Sequence, residues 1–183
     1  MKTTIAVAVA LAGLIATPTW AHGPVRLKLE RSEVLNATPD AVWQAIGNFC
    51  DMSWHPAVQA TDCSSTELKP DETTRVLKLN PDGAATITET LTKLNTDKPE
   101  KRSYGYMISQ VDPKVLPVTN YASTITVEDA GGKAKVTWKA GFYRGFPNNN
   151  PPPELNDEAA TAAVTGIYDA GMAKLIETFG KAN

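Results

Sequence analysis

The feature that most limits how this chain can fold is a long run of alternating apolar and polar residues that stops at a proline-rich connector. The alternation is clearest at its end, where Ala134, Val136, Trp138, Ala140 and Phe142 alternate with Lys133, Lys135, Thr137 and Lys139. A period of two residues is typical of a β-strand with one buried face. The pattern therefore predicts a sheet with one face packed against the core and the other exposed to solvent.

Seven strands are expected in all. The first, at about 25–36, is indicated by Val25, Leu27 and Leu29, which alternate with charged residues. The other six are predicted at about 62–69, 73–80, 84–95, 101–112, 118–128 and 133–143. Turn signals containing Pro, Gly or Asp separate most of them. Because these strands follow one another closely, we expect an antiparallel meander.

Helical periodicity appears on both sides of the strands. Thr38 and Pro39 predict the start of a short helix whose apolar face carries Val42, Trp43, Ile46 and Phe49. Residues 155–179 contain no proline and predict a long helix with Ala160, Val164, Ile167, Gly171, Leu175 and Phe179 at helical spacing. This long helix must cover the sheet. The expected fold class is α+β: a curved seven-stranded antiparallel sheet wrapped around a long C-terminal helix, with short helices after the first strand.

Residues 1–21 are predicted to be a secretory signal peptide. Lys2 gives a positive start, an apolar run follows, and Thr19-Trp20-Ala21 places small residues at the positions a signal peptidase requires. A retained membrane anchor is the alternative, although the apolar run is shorter than the roughly 20 residues of a spanning helix. We expect residues 22–183 to be one exported domain that does not associate with a membrane after cleavage.

Charge and cysteine content narrow the partners and the compartment. Eighteen Lys and Arg residues against 20 Asp and Glu give a formal net charge of -2, so a nucleic-acid partner is not expected. In an oxidising compartment, Cys50 and Cys63 most simply form a disulfide. Two free buried thiols are the alternative. A metal or redox pair is disfavoured because the spacing is not C-x-x-C.

The long helix is rich in Ala and Gly, which either allows close packing against the sheet or leaves a cavity. Aromatic residues on the opposing strands favour a cavity for a small apolar ligand, in which tyrosine hydroxyls would fix the orientation. Plain core packing is the alternative. The predicted lining consists of Trp54, His55, Tyr104, Tyr106, Tyr121, Trp138, Phe142, Ile167 and Gly171.

Four polar residues are weaker candidates for chemistry. Glu89 lies in the inward phase of its strand and His55 in a Trp-His-Pro sequence, so either could act as an acid or base. Arg144 could pair with an acidic group of a ligand or partner, or simply be solvated. His22, as a new N-terminus, could offer two nitrogens to Cu(II) with His55 as a third ligand, but the intervening strand separates them. No metal or other cofactor is expected.

The order of elements resembles the helix-grip fold of the START/polyketide cyclase-dehydrase (SRPBCC) superfamily. Three segments, 46–58, 115–121 and 142–158, are similar to the MxaD-type accessory proteins of bacterial methanol oxidation. This resemblance implies a non-enzymatic periplasmic protein that promotes the interaction of a quinoprotein methanol dehydrogenase with its cytochrome c acceptor. Cys50, between Phe49 and Asp51, departs from the pattern of this family.

Two classes of function therefore remain open. An accessory protein would recognise its partners through exposed residues, for which Trp54 and Arg144 are the candidates. A carrier of an apolar or aromatic molecule, or a cyclase or dehydratase, would instead use the cavity. Catalysis would require a converging acid and base, for which Glu89 and His55 are the weak candidates.

Overall fold

The computed structural model describes residues 23–182, so the predicted signal peptide and His22 lie outside the described residues. Seven strands form one antiparallel sheet in the order β1-β7-β6-β5-β4-β3-β2. The strands are β1 (Leu27–Leu35), β2 (Ala60–Cys63), β3 (Thr74–Lys78), β4 (Thr86–Asn95), β5 (Lys101–Val111), β6 (Val118–Asp129) and β7 (Ala134–Arg144). The helices are α1 (Pro39–Ile46) and α2 (Asp157–Phe179), with a short 3-10 turn at Pro153–Leu155. The predicted helix-grip architecture is confirmed.

Strand β2 is shorter than predicted and ends at Cys63. The residues after it bond locally instead of extending the sheet. The Thr73 hydroxyl donates to the Glu67 carbonyl at 3.1 Å and accepts from the Lys69 N–H at 2.8 Å. Such side-chain bonds compete with a strand ladder, so the expected strand at 62–69 is wrong beyond Cys63.

The start of α1 follows the predicted signals. Thr38 accepts a hydrogen bond from the Ala41 N–H at 3.3 Å, and Pro39 occupies the first turn. The helix ends at Ile46, so Phe49 belongs to the following loop and not to the helix. Its side chain is nevertheless buried in the core. This α1–β2 loop, residues 47–59, lies next to α2, because His55 bonds to the Ile167 carbonyl.

Helix α2 is capped by Asn156, which accepts from the Ala159 N–H at 2.8 Å. Its central contact with the sheet is a stacked pair of rings, Trp138 on β7 and Tyr168, with centroids 4.0 Å apart and planes at 18°. Gly171 allows this approach, since a Cβ there would lie 2.8 Å from the Trp138 ring. Within residues 23–182, no helix is long and apolar enough to cross a membrane.

The buried face of α2 is rotated slightly from the predicted one. Ile167 and Phe179 are half-buried, whereas Tyr168 and Met172, which the apolar spacing did not include, are buried. The rotation places the Tyr168 hydroxyl within hydrogen-bond distance of Tyr121 and Ser123. Polar bonding in the core therefore contributes to the orientation of the helix.

Removing the Trp138 ring should show how much the fold depends on it. We expect Trp138→Ala to lower the free energy of unfolding by about 3–5 kcal/mol, the usual cost of deleting a buried aromatic side chain. Chemical denaturation measures this directly. Val25→Ala is the control, because Val25 is 61% exposed and should change little. A loss below about 1 kcal/mol for Trp138→Ala would contradict its placement in the core.

Candidate functional site

A cavity of about 70 Å³ lies between the inner face of the sheet, the α1–β2 loop and α2. Its lining is mostly apolar. It consists of Met52, His55, Ala57 and Val58 from the loop; Leu77, Ile87, Glu89, Tyr106, Ile108, Tyr121 and Trp138 from the sheet; Leu79 and Leu116 from connections between strands; and Ile167 from α2. The small volume and the few polar groups limit what the cavity can hold.

Five of the residues predicted from sequence line this cavity: His55, Tyr106, Tyr121, Trp138 and Ile167. They come from the loop, from three strands and from α2. The fold therefore brings together residues that lie up to 112 positions apart, as the His55 bond to Ile167 shows.

The other four predicted residues lie just outside the lining. Trp54 packs against Trp138 with ring centroids 5.7 Å apart, and Gly171 packs under the same ring. The ring centroids of Tyr104 and Phe49 lie 6.0 Å apart. Those of Phe142 and Tyr121 also lie 6.0 Å apart. These residues support the cavity wall as core, which was the alternative interpretation of the aromatic stripe.

A buried ion pair marks one side of the cavity. Arg75 on β3 lies directly opposite Glu89 on β4 and donates from Nε to Glu89 Oε2 at 2.6 Å. A second guanidinium nitrogen donates to the Phe49 carbonyl at 2.6 Å. The guanidinium also lies 4.2 Å from the centroid of the Phe49 ring and 5.0 Å from that of Tyr106. Aromatic faces and a carboxylate therefore compensate the buried positive charge.

The charge state of Glu89 follows from this pairing. Burial raises the pKa of the Glu89 carboxyl, and the Arg75 guanidinium acts in the opposite direction. The guanidinium remains protonated at any physiological pH, and leaving it unpaired inside the protein would be costly. Glu89 is therefore a carboxylate at neutral pH, held in place by Arg75.

A network of hydroxyl groups links the cavity wall to α2. Tyr168 lies 2.8 Å from the Tyr121 hydroxyl and 2.7 Å from Ser123 Oγ. The indole N–H of Trp138 donates to both Ser123 Oγ at 2.9 Å and the Tyr106 hydroxyl at 3.0 Å. Burial raises the pKa of Tyr106 well above 10, so its hydroxyl stays protonated.

His55 uses both ring nitrogens within the protein. Nδ1 accepts from the Ala57 N–H at 3.2 Å, so the proton of the neutral ring is on Nε2, which lies 3.0 Å from the Ile167 carbonyl. The side chain is 2% exposed. Burial lowers the pKa of His55, and the nearby Arg75 charge adds to this effect. A neutral His55 therefore connects the loop to α2.

The stability of the protein should consequently depend on pH through His55. Because its pKa is lowered on folding, its contribution is present above about 6.5, the pKa of an unfolded-chain histidine, and is lost as the pH falls below that value. We expect the free energy of unfolding to fall more steeply between about pH 7.5 and about pH 5.5 in the unmodified protein than in His55→Gln. Denaturant titrations at a series of pH values measure this free energy. An equal dependence on pH in the two proteins would contradict the assignment to His55.

The sheet opens next to the cavity. Strands β5 and β6 are paired from Lys101 and Glu128 as far as Met107 and Ala122. Beyond this point the strands separate, and a bulge interrupts the pairing of β6 with β7. Ile108 and Tyr121, the next residues, line both the cavity and a surface cleft between the strands. The cavity and the surface cleft are therefore adjacent and share these two side chains.

A disulfide joins Cys50 to Cys63, as predicted, with the two Cα atoms 5.5 Å apart. It links the α1–β2 loop to β2. Met52, His55, Ala57 and Val58, which cover the cavity, lie between the two cysteines. The disulfide therefore limits how far this cover can move.

The expectation that Arg144 forms an exposed recognition site is wrong. Its side chain is buried, with the residue 7% exposed, and donates to the carbonyls of Phe146 at 2.8 Å and Asn148 at 3.0 Å. It also lies 3.5 Å from Asp157 at the start of α2. Arg144 thus organises the proline-rich connector.

Trp54, the other candidate for partner recognition, is half-buried, and its indole N–H is buried without a hydrogen-bond partner among the described residues.

Loss of Arg144 should therefore affect folding. We expect Arg144→Ala to lower the free energy of unfolding by about 3 kcal/mol, because several charge-assisted hydrogen bonds are lost together. Lys139→Ala removes an exposed pair with Glu30 and should cost about 1 kcal/mol or less. Denaturant titrations of the two variants measure the difference, and equal effects would contradict the structural role of Arg144.

Sequence reasoning missed Arg75 and Tyr168. Arg75 shares the inward phase of β3 with Leu77, which was a usable signal when Glu89 was found in the inward phase of the next strand. Tyr168 follows Val164 by four residues, within the apolar spacing of the helix.

Across residues 23–182, no three His, Cys, Asp or Glu side chains are grouped so as to hold a metal ion.

Comparison with known proteins agrees with this architecture. The family model described as polyketide cyclase / dehydrase and lipid transport matches residues 26–180. No curated protein matches the sequence significantly. The solved structure of protein XoxI from Bacillus cereus is 31% identical, covers 83% of this chain and 94% of its own, and has a TM-score of 0.62.

Two further solved structures extend the comparison. An uncharacterized protein from Bacillus thuringiensis is 30% identical over 84% of this chain and 98% of its own, with a TM-score of 0.62. Norcoclaurine synthase from Thalictrum flavum is 14% identical over 97% of both chains, with a TM-score of 0.60. At this low identity the synthase shows a shared fold alone.

Proposed function

Because the chain belongs to the polyketide cyclase / dehydrase and lipid transport family of the SRPBCC superfamily, we propose that it is an exported, non-enzymatic binding protein. The observation that carries this proposal is the state of the polar groups in the cavity. His55 has no free nitrogen, and Glu89 is held by Arg75. The Tyr106 hydroxyl retains its proton, because burial raises its pKa well above 10. Among the described residues, the cavity thus lacks a converging acid and base.

The finer proposal is a role in periplasmic methanol oxidation. The protein would promote the interaction of a quinoprotein methanol dehydrogenase with its cytochrome c acceptor. Two observations support it: the similarity of segments 46–58, 115–121 and 142–158 to MxaD-type accessory proteins, and the 31% identity to XoxI over most of both chains.

Export to the periplasm is part of the same proposal. Disulfides persist in oxidising compartments and are rare in the cytosol. The Cys50–Cys63 disulfide and the signal-like residues 1–21 both support export.

A reconstituted reaction tests the accessory role. The purified protein is added to methanol dehydrogenase and cytochrome c from the same source, and methanol-dependent reduction of the cytochrome is followed by absorbance. We expect faster reduction with the folded protein, no stimulation by heat-unfolded protein, and no oxidation of methanol by the protein alone. An unchanged rate with the folded protein would contradict the accessory role.

A small-molecule carrier is the second candidate, favoured by the mostly apolar cavity. Val58→Phe separates it from an accessory that acts through its surface. The larger ring should fill the cavity from the loop, at a cost of about 1–3 kcal/mol in stability. If the folded variant still stimulates cytochrome reduction, the cavity is not required. Loss of stimulation in the folded variant would favour the carrier.

A further inference from the structure

The directions of the hydrogen bonds around the cavity can be assigned from one fixed point. Ser123 Oγ donates its proton to the Lys139 carbonyl at 2.8 Å. Its oxygen must therefore accept from Tyr168, and Tyr168 must in turn accept from Tyr121. The protons of all three hydroxyl groups are thus used within the protein.

Tyr106 is different from these hydroxyl groups. Its oxygen accepts from the indole N–H of Trp138 at 3.0 Å, so its own proton points elsewhere. None of residues 23–182 offers an acceptor for that proton, while the side chain is 2% exposed and lines the cavity. A molecule in the cavity is therefore the natural acceptor.

Glu89 offers the complementary group. Its Oε2 receives the Arg75 bond, whereas Oε1 has no donor among the described residues. In the sheet, Glu89 lies opposite Ile108 and Leu91 lies opposite Tyr106. Glu89 and Tyr106 are thus diagonal neighbours on the inner face, and both line the cavity.

Charge restricts the ligand. Arg75 already balances the Glu89 carboxylate, so a cation would add an uncompensated buried charge, and an anion would be repelled by the carboxylate. A neutral hydroxyl group meets both requirements, because it donates one hydrogen bond and accepts another.

Size restricts the ligand further. The cavity volume of about 70 Å³ is about half that of the engineered cavity of about 150 Å³ that holds benzene. The remaining wall is aliphatic on the side of Leu77, Ile87 and Leu116. A short alkyl chain fits this space better than an aromatic ring.

We propose that the cavity binds a small neutral aliphatic alcohol whose hydroxyl donates to Glu89 and accepts from Tyr106. This inference rests on the proposed binding function and specifies its ligand class. It assigns Glu89 and Tyr106 as binding residues, with Arg75 and Trp138 as the residues that position them.

Two isomeric probes, ethanol and dimethyl ether, test the proposal, because both are smaller than benzene. Only the alcohol can donate to Glu89. In NMR titrations of the purified protein, followed at the indole N–H of Trp138, we expect ethanol to bind about tenfold more tightly than the ether. Tyr106→Phe should weaken the binding of ethanol by about fivefold. Tyr104→Phe is the matched control, because Tyr104 does not line the cavity, and should leave the affinity unchanged.

The outcomes distinguish failure of hydroxyl recognition from failure of small-molecule binding in general. Equal affinities for the two isomers would overturn hydroxyl recognition while leaving a cavity that binds small molecules. No binding of either probe would overturn both hydroxyl recognition and the carrier function, whereas the reconstituted reaction tests the accessory role separately. Equal effects of Tyr106→Phe and Tyr104→Phe would overturn the role of Tyr106. Because the isomer comparison uses the unmodified protein, it remains decisive if Tyr106→Phe does not fold.

Discussion

The stacking of Trp138 on Tyr168 is the contact on which the relation of helix, sheet and cavity depends. The two rings lie 4.0 Å apart, and the indole N–H of Trp138 reaches Ser123 on β6 and Tyr106 on β5. A single side chain therefore connects α2 with three adjacent strands. Gly171 permits the close approach, and His55 holds the α1–β2 loop against the same helix. The cavity is the space that these contacts enclose without filling.

The buried ion pair gives this space its chemical character. Stability does not explain the pair, because buried ion pairs are often no more stabilising than apolar residues of similar size. Its position suggests a different role. Arg75 neutralises Glu89 and fixes one carboxylate oxygen, which leaves the other available to a neutral ligand at a charge-balanced site. The same pairing, together with the engaged His55, supports binding rather than proton transfer.

The sequence predicted the larger elements well, because their signals are local. The alternation in β7, the Thr38-Pro39 start of α1 and the proline-free α2 each specify one element without reference to the rest of the chain. The disulfide also followed from two cysteines and the predicted signal peptide. Errors arose where distant residues decide the outcome. Strand β2 ends early because Thr73 bonds back to Glu67 and Lys69. Arg144 is buried because connector carbonyls surround it. Periodicity could not distinguish lining residues from the core residues behind them, such as Tyr104 and Phe142.

The contacts around Trp138 hold open a cavity between the sheet and α2. Crystallography under xenon pressure tests this arrangement most directly, because xenon enters apolar cavities and is visible by its anomalous scattering. We predict a xenon atom in contact with Leu77, Ile87 and Leu116, with the Trp138 and Tyr168 rings still stacked. A space filled by these side chains, with no xenon at this position, would contradict the presence of the cavity.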